Sequence, residues 1–229
     1  MLIAGLQKLT LLDYPGKTAC TVFTPGCNFR CPFCHNALLV THKVDSFVSE
    51  EEFFSFLSKR HGILDGVCIT GGEPTLQKDL IEFMQKIREK GFLIKLDTNG
   101  YKPDVLQEIL KKNLADYVAM DIKASPERYG EATGISGFDF SPIKESIELL
   151  EKSGVPHEFR TTVTDEFHSE EDFGIILSLF SENTPYFIQQ FKDSGNLIDE
   201  SCHGWSTERM KQLAEFLSLN HSNVSLRET

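Results

Sequence analysis

The 229-residue sequence has no apolar run long enough to cross a bilayer, and its start lacks the basic, apolar and small-residue sections of an export signal. A membrane span is therefore not expected, and the expected location is the cytoplasm. Basic residues are scarce, 23 Lys and Arg against 34 Asp and Glu, which gives a net charge of -11. That balance disfavours a broad phosphate-binding face, so neither nucleic acid nor an anionic membrane is expected as a partner. Cysteine is sparse too. Three of the six, Cys20, Cys68 and Cys202, are scattered singly, which argues against a disulfide framework. No low-complexity stretch or composition shift marks a second domain. With 40% hydrophobic residues, a single domain over residues 1–229 is expected.

Short runs rich in Val, Ile, Phe and Thr alternate with longer stretches of helical period, which is a repeated βα pattern. Strands are predicted at residues 18–24, 66–70, 92–97, 116–121, 157–163 and 185–191. Helices are predicted at 49–60, 77–90, 103–113, 141–153, 169–181 and 206–219. Ser49 with Glu52 reads as a capping box, and Gly62, Gly91 and Gly154 fall where helices should stop. Six parallel strands with covering helices imply an α/β fold, either an incomplete (β/α)6 barrel of the TIM type or an open doubly wound sheet. Both gather function at strand C-termini. The Gly-rich stretch 124–140 reads as a long irregular loop.

The chemistry is concentrated in CNFRCPFCHN, which follows the first predicted strand and Pro25-Gly26. Cys27, Cys31 and Cys34 offer three thiolates, enough to hold three irons of a cubane cluster while one iron stays open to a small chelating molecule. Other readings stand beside this one. Cys31 to His35 matches a c-type haem attachment string, three cysteines with His35 have zinc-ligand chemistry, and Cys31 with Cys34 could form a redox dithiol. The haem and dithiol readings leave Cys27 without a role, and the haem reading also needs export.

The spacing C-x-x-x-C-x-x-C followed by His35-Asn36, with aromatic Phe33 before the last cysteine, resembles the signature of the radical S-adenosylmethionine (SAM) superfamily. Thr70-Gly71-Gly72-Glu73-Pro74 resembles that family's glycine-rich motif. Asp97-Thr98-Asn99-Gly100 and Met120-Asp121-Ile122-Lys123 resemble strand-end motifs of the glycyl-radical-enzyme activases. Asp13-Tyr14-Pro15-Gly16 resembles a segment that precedes the first strand in those activases. The resemblance implies a [4Fe-4S] cluster on Cys27, Cys31 and Cys34. It implies SAM contacts from Asn36, Gly72, Glu73, Asp97, Asp121 and Lys123, with an optional monovalent cation near Asp97 and Asp121. It also implies a glycyl radical enzyme as protein substrate, most similarly an anaerobic ribonucleotide reductase, and a low-potential electron donor such as flavodoxin or ferredoxin.

The chain departs from pyruvate formate-lyase activating enzyme where that enzyme has a SAM-contacting histidine on its last strand. Gln189 and Gln190 stand there instead. A short radical SAM enzyme acting on a small molecule, of the 7-carboxy-7-deazaguanine synthase type, is the second reading, and a non-catalytic metal or electron-transfer module is the third. Arg160 is open to two roles, the SAM carboxylate or a structural ion pair. His42, His61, His157, His168, His203 and His221 are expected at the surface, and Trp205 in the core.

Overall fold

The computed structural model describes residues 1–41, 47–193, 195, 197–219 and 221–227; His42 lies outside them. The six predicted strands are all present, as β2 (Ala19–Thr24), β3 (Gly66–Gly71), β4 (Leu93–Thr98), β5 (Tyr117–Asp121), β6 (His157–Val163) and β7 (Tyr186–Gln190). Two more strands extend the sheet at its edges, β1 (Gly5–Thr10) and β8 (Val224–Arg227), so eight strands lie in the order β1 to β8 among the described residues. β1 runs antiparallel to β2, whereas β2 to β4 and β6 to β8 pair in parallel. Both extra strands escape periodicity for the same reason. They are edge strands, and β1 buries only one residue fully.

The helices are α1 (Ala37–Val40), α2 (Glu50–Ser58), α3 (Leu80–Glu89), α4 (Pro103–Lys111), α5 (Tyr129–Thr133), α6 (Ser141–Ser153), α7 (Glu170–Leu177) and α8 (Thr207–Ser218). The Ser49 capping box forms as expected, with the Glu52 N–H donating to the Ser49 hydroxyl and the Ser49 N–H donating to the Glu52 carboxylate. Gly154 closes α6 in the left-handed conformation that favours glycine.

The chain forms two compact units. The first comprises residues 1–28, 38–98 and 104–118; the second comprises 29–37, 99–103 and 119–229. Within the first, β2, β3 and β4 are buried along most of their length, and the rings of Phe53 and Phe83 on α2 and α3 meet at 5.1 Å. Within the second, the stretch predicted as an irregular loop is irregular over most of its length, as expected, and one short helix interrupts it. That helix is α5, and the fully buried Tyr129 packs with Phe138 at 4.9 Å and with Phe29 at 6.4 Å. A glycine-rich composition hid the aromatic anchors that fix the segment.

Strand β8 contributes Arg227, whose two terminal nitrogens donate to the two carboxylate oxygens of Glu158 at 2.8 and 3.1 Å. Glu158 is fully buried on β6. Removing the guanidinium leaves that carboxylate without its fork-shaped partner. Arg227→Ala is expected to cost about 3 kcal/mol and to lower the melting midpoint by roughly 8 °C, measured by calorimetry. A change of about 1 °C or less would show that the pair does not secure β8.

Candidate active site

The chain enters the cysteine segment from β2 through Pro25 and Gly26, all in the first unit. The Gly72 N–H donates to the Thr24 carbonyl (2.9 Å) and the Glu73 N–H to the Gly26 carbonyl (2.8 Å). A Cβ on Gly72 would overlap the Gly26 carbonyl oxygen, and Gly71 adopts φ +119° with its Cβ position filled by the Thr24 backbone. The two glycines therefore bring the loop after β3 against the residues that introduce Cys27. This is a packing role beside the ligand-approach role expected from the sequence. Glu73 is 1% exposed, and its Oε1 accepts from the Thr75 N–H (3.0 Å), the Thr75 hydroxyl (2.5 Å) and the Thr98 hydroxyl at the end of β4 (2.8 Å). Asp97, on the same strand, forms an ion pair with Lys95.

In the second unit the segment is anchored by its aromatics. Phe29 packs among Tyr101, Tyr129 and Phe138, and buried Phe33 lies against Phe167 (5.7 Å) and His168 (6.4 Å). The Cys34 N–H donates to the Cys31 carbonyl at 3.1 Å, and the Arg30 N–H to the Thr133 carbonyl at the end of α5 at 2.8 Å. Asn36 is half-buried beside Cys34.

At the end of β5, Asp121 accepts from Lys123 Nζ at 3.0 Å on one oxygen and from Arg160 Nε at 2.9 Å on the other. Arg160 is thus an ion-pair partner of Asp121. Burial works against the Asp121 carboxylate, but Arg160 and Lys123 hold its pKa down at about 2. Burial likewise opposes the Lys123 ammonium, while Asp121 first and Cys31 next keep it above the ordinary lysine range. Burial pushes the Cys34 thiol up, whereas the Asn36 N–H and Lys123 pull it down. Lys123 thus acts on Asp121, Cys31 and Cys34 together, while Arg160 acts on Asp121. Burial leaves the Cys34 thiol above its ordinary range, and Lys123 and Arg160 together exceed the single Asp121 carboxylate they share.

His168 is the residue that sequence reasoning misplaced. It is 3% exposed, not on the surface, with Nε2 at 2.9 Å from the Lys123 carbonyl and Nδ1 accepting from the Thr164 N–H at 3.1 Å. It thereby fixes the backbone that carries Lys123. A lone histidine two residues after Glu166 has no ligand spacing, so no local signal marked it. Burial lowers its pKa to about 4. The folded chain thus refuses a proton that the unfolded chain accepts. The His168 contribution to stability is fully present above pH 6.5 and is lost as the pH falls toward 4, by about 3 kcal/mol in all. In urea melts across that window, His168→Gln should flatten this part of the pH dependence; parallel curves for both proteins would refute the assignment.

Among the other residues singled out from the sequence, Trp205 is buried as expected and carries Arg209 over its ring at 3.4 Å. His61 and His203 are exposed, whereas His157 and His221 are half-buried. Gln190 donates to the Trp205 carbonyl and the Thr207 hydroxyl, both at 3.1 Å. No helix among the described residues is long and apolar enough to cross a membrane.

The profile of the radical SAM superfamily matches residues 21–179. The chain belongs to the radical SAM superfamily. It is 39% identical over 197 residues to a protein of Methanocaldococcus jannaschii provisionally named a glycyl-radical enzyme activating enzyme, covering 83% of this chain and 80% of that one. It is 31% identical over 170 residues to the pyruvate formate-lyase-activating enzyme of Clostridium pasteurianum, covering 71% and 70%. A radical SAM methyltransferase from Sphaerobacter thermophilus shares the fold with a TM-score of 0.75 at 16% identity, over 96% of this chain and 68% of that one. Some other matched proteins are longer, and the match spans about half of their length or less. The fold class is thus the incomplete (β/α)6 barrel of the radical SAM core, here with strands added at both edges of the sheet.

The radical SAM family implies a [4Fe-4S] cluster and SAM. The donor set suits them: three soft thiols in one short segment for iron, and a buried carboxylate with a separate cationic group for a zwitterion. Among the described residues no three His, Cys, Asp or Glu side chains group as ligands of a single metal ion.

Proposed function

We propose that this radical SAM chain, acting as a single domain over residues 1–229, activates a glycyl radical enzyme, and that the partner is an anaerobic ribonucleotide reductase. Cys27, Cys31 and Cys34 hold the cluster through their thiolates. A cluster held there would supply the electron for reductive cleavage of SAM, the chemistry that would take a hydrogen atom from a glycine Cα of the partner. Gly72 and Glu73 serve the amino group of SAM, while Lys123, oriented by Asp121, serves its carboxylate. Asn36 and Asp97 complete the contacts. Electrons come from a low-potential donor such as flavodoxin or ferredoxin, in the cytoplasm.

The observation that carries this reading is the 39% identity over most of both chains to a relative named for that activity. The Asp13 to Gly16 segment supports it. Asp13 is tied into the fold, accepting from the Thr21 hydroxyl of β2 at 2.5 Å.

The test is anaerobic incubation of the reconstituted protein with SAM, a low-potential reductant and each glycyl radical enzyme of the source genome. The expected result is an electron paramagnetic resonance doublet on one partner, with 5'-deoxyadenosine in comparable amount. If SAM is cleaved, no partner gains the doublet and a small metabolite is consumed, the small-molecule reading replaces this one.

A further inference from the structure

Inside the first unit lies a charge that the proposed chemistry does not use. Parallel pairing sets Thr21 of β2 beside Cys68 of β3, and Cys68 beside Lys95 of β4. Lys95 is 2% exposed, with Nζ at 3.9 Å from the Cys68 sulfur. Two residues on, and so on the same face of β4, Asp97 takes its ammonium in an ion pair. Lysine is among the residues least often fully buried, because desolvating an ammonium is costly unless a partner compensates. Here the compensation is specific, since Lys95 shares its strand face with a carboxylate at the strand's C-terminal end.

That pair bears on the optional monovalent cation. A free cation at Asp97 or at Asp121 would serve to neutralise an uncompensated carboxylate. The donor set does not fit it. Asp97 is paired to Lys95, and each oxygen of Asp121 accepts from a protein cation, Lys123 or Arg160. Both carboxylates are already neutralised by groups belonging to the fold.

We propose that Lys95 is a built-in counter-cation for Asp97, so that this protein binds SAM and keeps its fold without sodium or potassium. An ammonium on a buried stem cannot dissociate into solvent, and it holds Asp97 in one orientation whatever the salt. Lys95 is on this view a positioning residue, acting on the site through Asp97. The proposal rests on the radical SAM assignment and on no particular partner enzyme, and its thermal readout does not require SAM cleavage.

The experiment compares the reconstituted holoprotein and its Lys95→Met variant in potassium, sodium and choline chloride at equal ionic strength. Melting midpoint, SAM affinity by equilibrium dialysis and thallium-205 NMR are recorded for each. The wild-type protein is expected to give the same midpoint and SAM affinity in all three salts and no bound thallium signal. Lys95→Met is expected to melt about 10 °C lower in choline and to bind SAM at least tenfold more weakly there. Alkali cation, or the second substitution Asp97→Asn, should recover most of the midpoint.

A wild-type midpoint or SAM affinity that rises in potassium or sodium would overturn the proposal. So would wild-type behaviour of Lys95→Met in choline, or a loss that neither alkali cation nor Asp97→Asn restores. The double variant keeps the test decisive if Lys95→Met folds poorly, because only an uncompensated Asp97 would be relieved by it.

Discussion

Anaerobic reconstitution of the chain with iron and sulfide is expected to give about four irons and four sulfides per protein, and Cys27→Ala, Cys31→Ala and Cys34→Ala each to give essentially none. Three thiolates leave one iron of the cubane open, and loss of a second protein ligand leaves two irons unsupported. Burial raises the Cys34 thiol and Lys123 opposes that rise, so iron itself must drive the deprotonation that accompanies loading. Cys20→Ser, Cys68→Ser and Cys202→Ser are expected to keep the cluster. All three of these cysteines are buried, and the thiols of Cys20 and Cys202 are pushed up by burial, Cys20 to about 12 and Cys202 to about 11. Metal analysis with visible absorption near the thiolate-to-iron bands measures the outcome. Stoichiometric zinc in place of iron would remove the cluster assignment and, with it, the proposed radical chemistry.

Gly72→Ala should also abolish cluster loading, although this residue is no cluster ligand. The added methyl would stand where the Gly26 carbonyl oxygen already is, and that oxygen accepts the Glu73 N–H. Neither neighbour is a flexible side-chain end, so backbone must move, and it is the backbone that leads into Cys27. The substitution is expected to cost about 3 kcal/mol and most of the bound iron. Gly137→Ala is the comparison, because its Cβ meets nothing within 4 Å and its φ of +64° brings only the left-handed strain, about 1 kcal/mol. It should keep its iron. Full iron content and an unchanged midpoint in Gly72→Ala would show that the loop after β3 does not set the cysteine segment.

The βα order and the strand ends that carry Glu73, Asp97 and Asp121 were legible because buried parallel strands are continuous apolar runs between turns. A polar residue at the end of such a run can only sit at the rim. The capping box at Ser49 was legible because its hydrogen bonds span three residues. Strands β1 and β8 were not, since each is at an edge and depends on a neighbour for half of its burial. In the stretch 124–140 the short helix α5 was not legible, since its anchoring comes from Tyr129 and Phe138 packing on Phe29, far away in sequence.

By itself the sequence determined the ligand chemistry. Cysteine spacing, the glycine pair and the acidic strand ends are local features, and their meaning depends on residue type and order along a strand. Only the tertiary structure decided how the charges are compensated. Arg160 became the partner of Asp121, Lys95 the partner of Asp97, and His168 a buried support for the Lys123 carbonyl. Pairing energies of this kind depend on distance and burial between residues brought together by folding. Even Lys95 and Asp97, two residues apart, owe the strength of their pair to the desolvation that the packed sheet imposes.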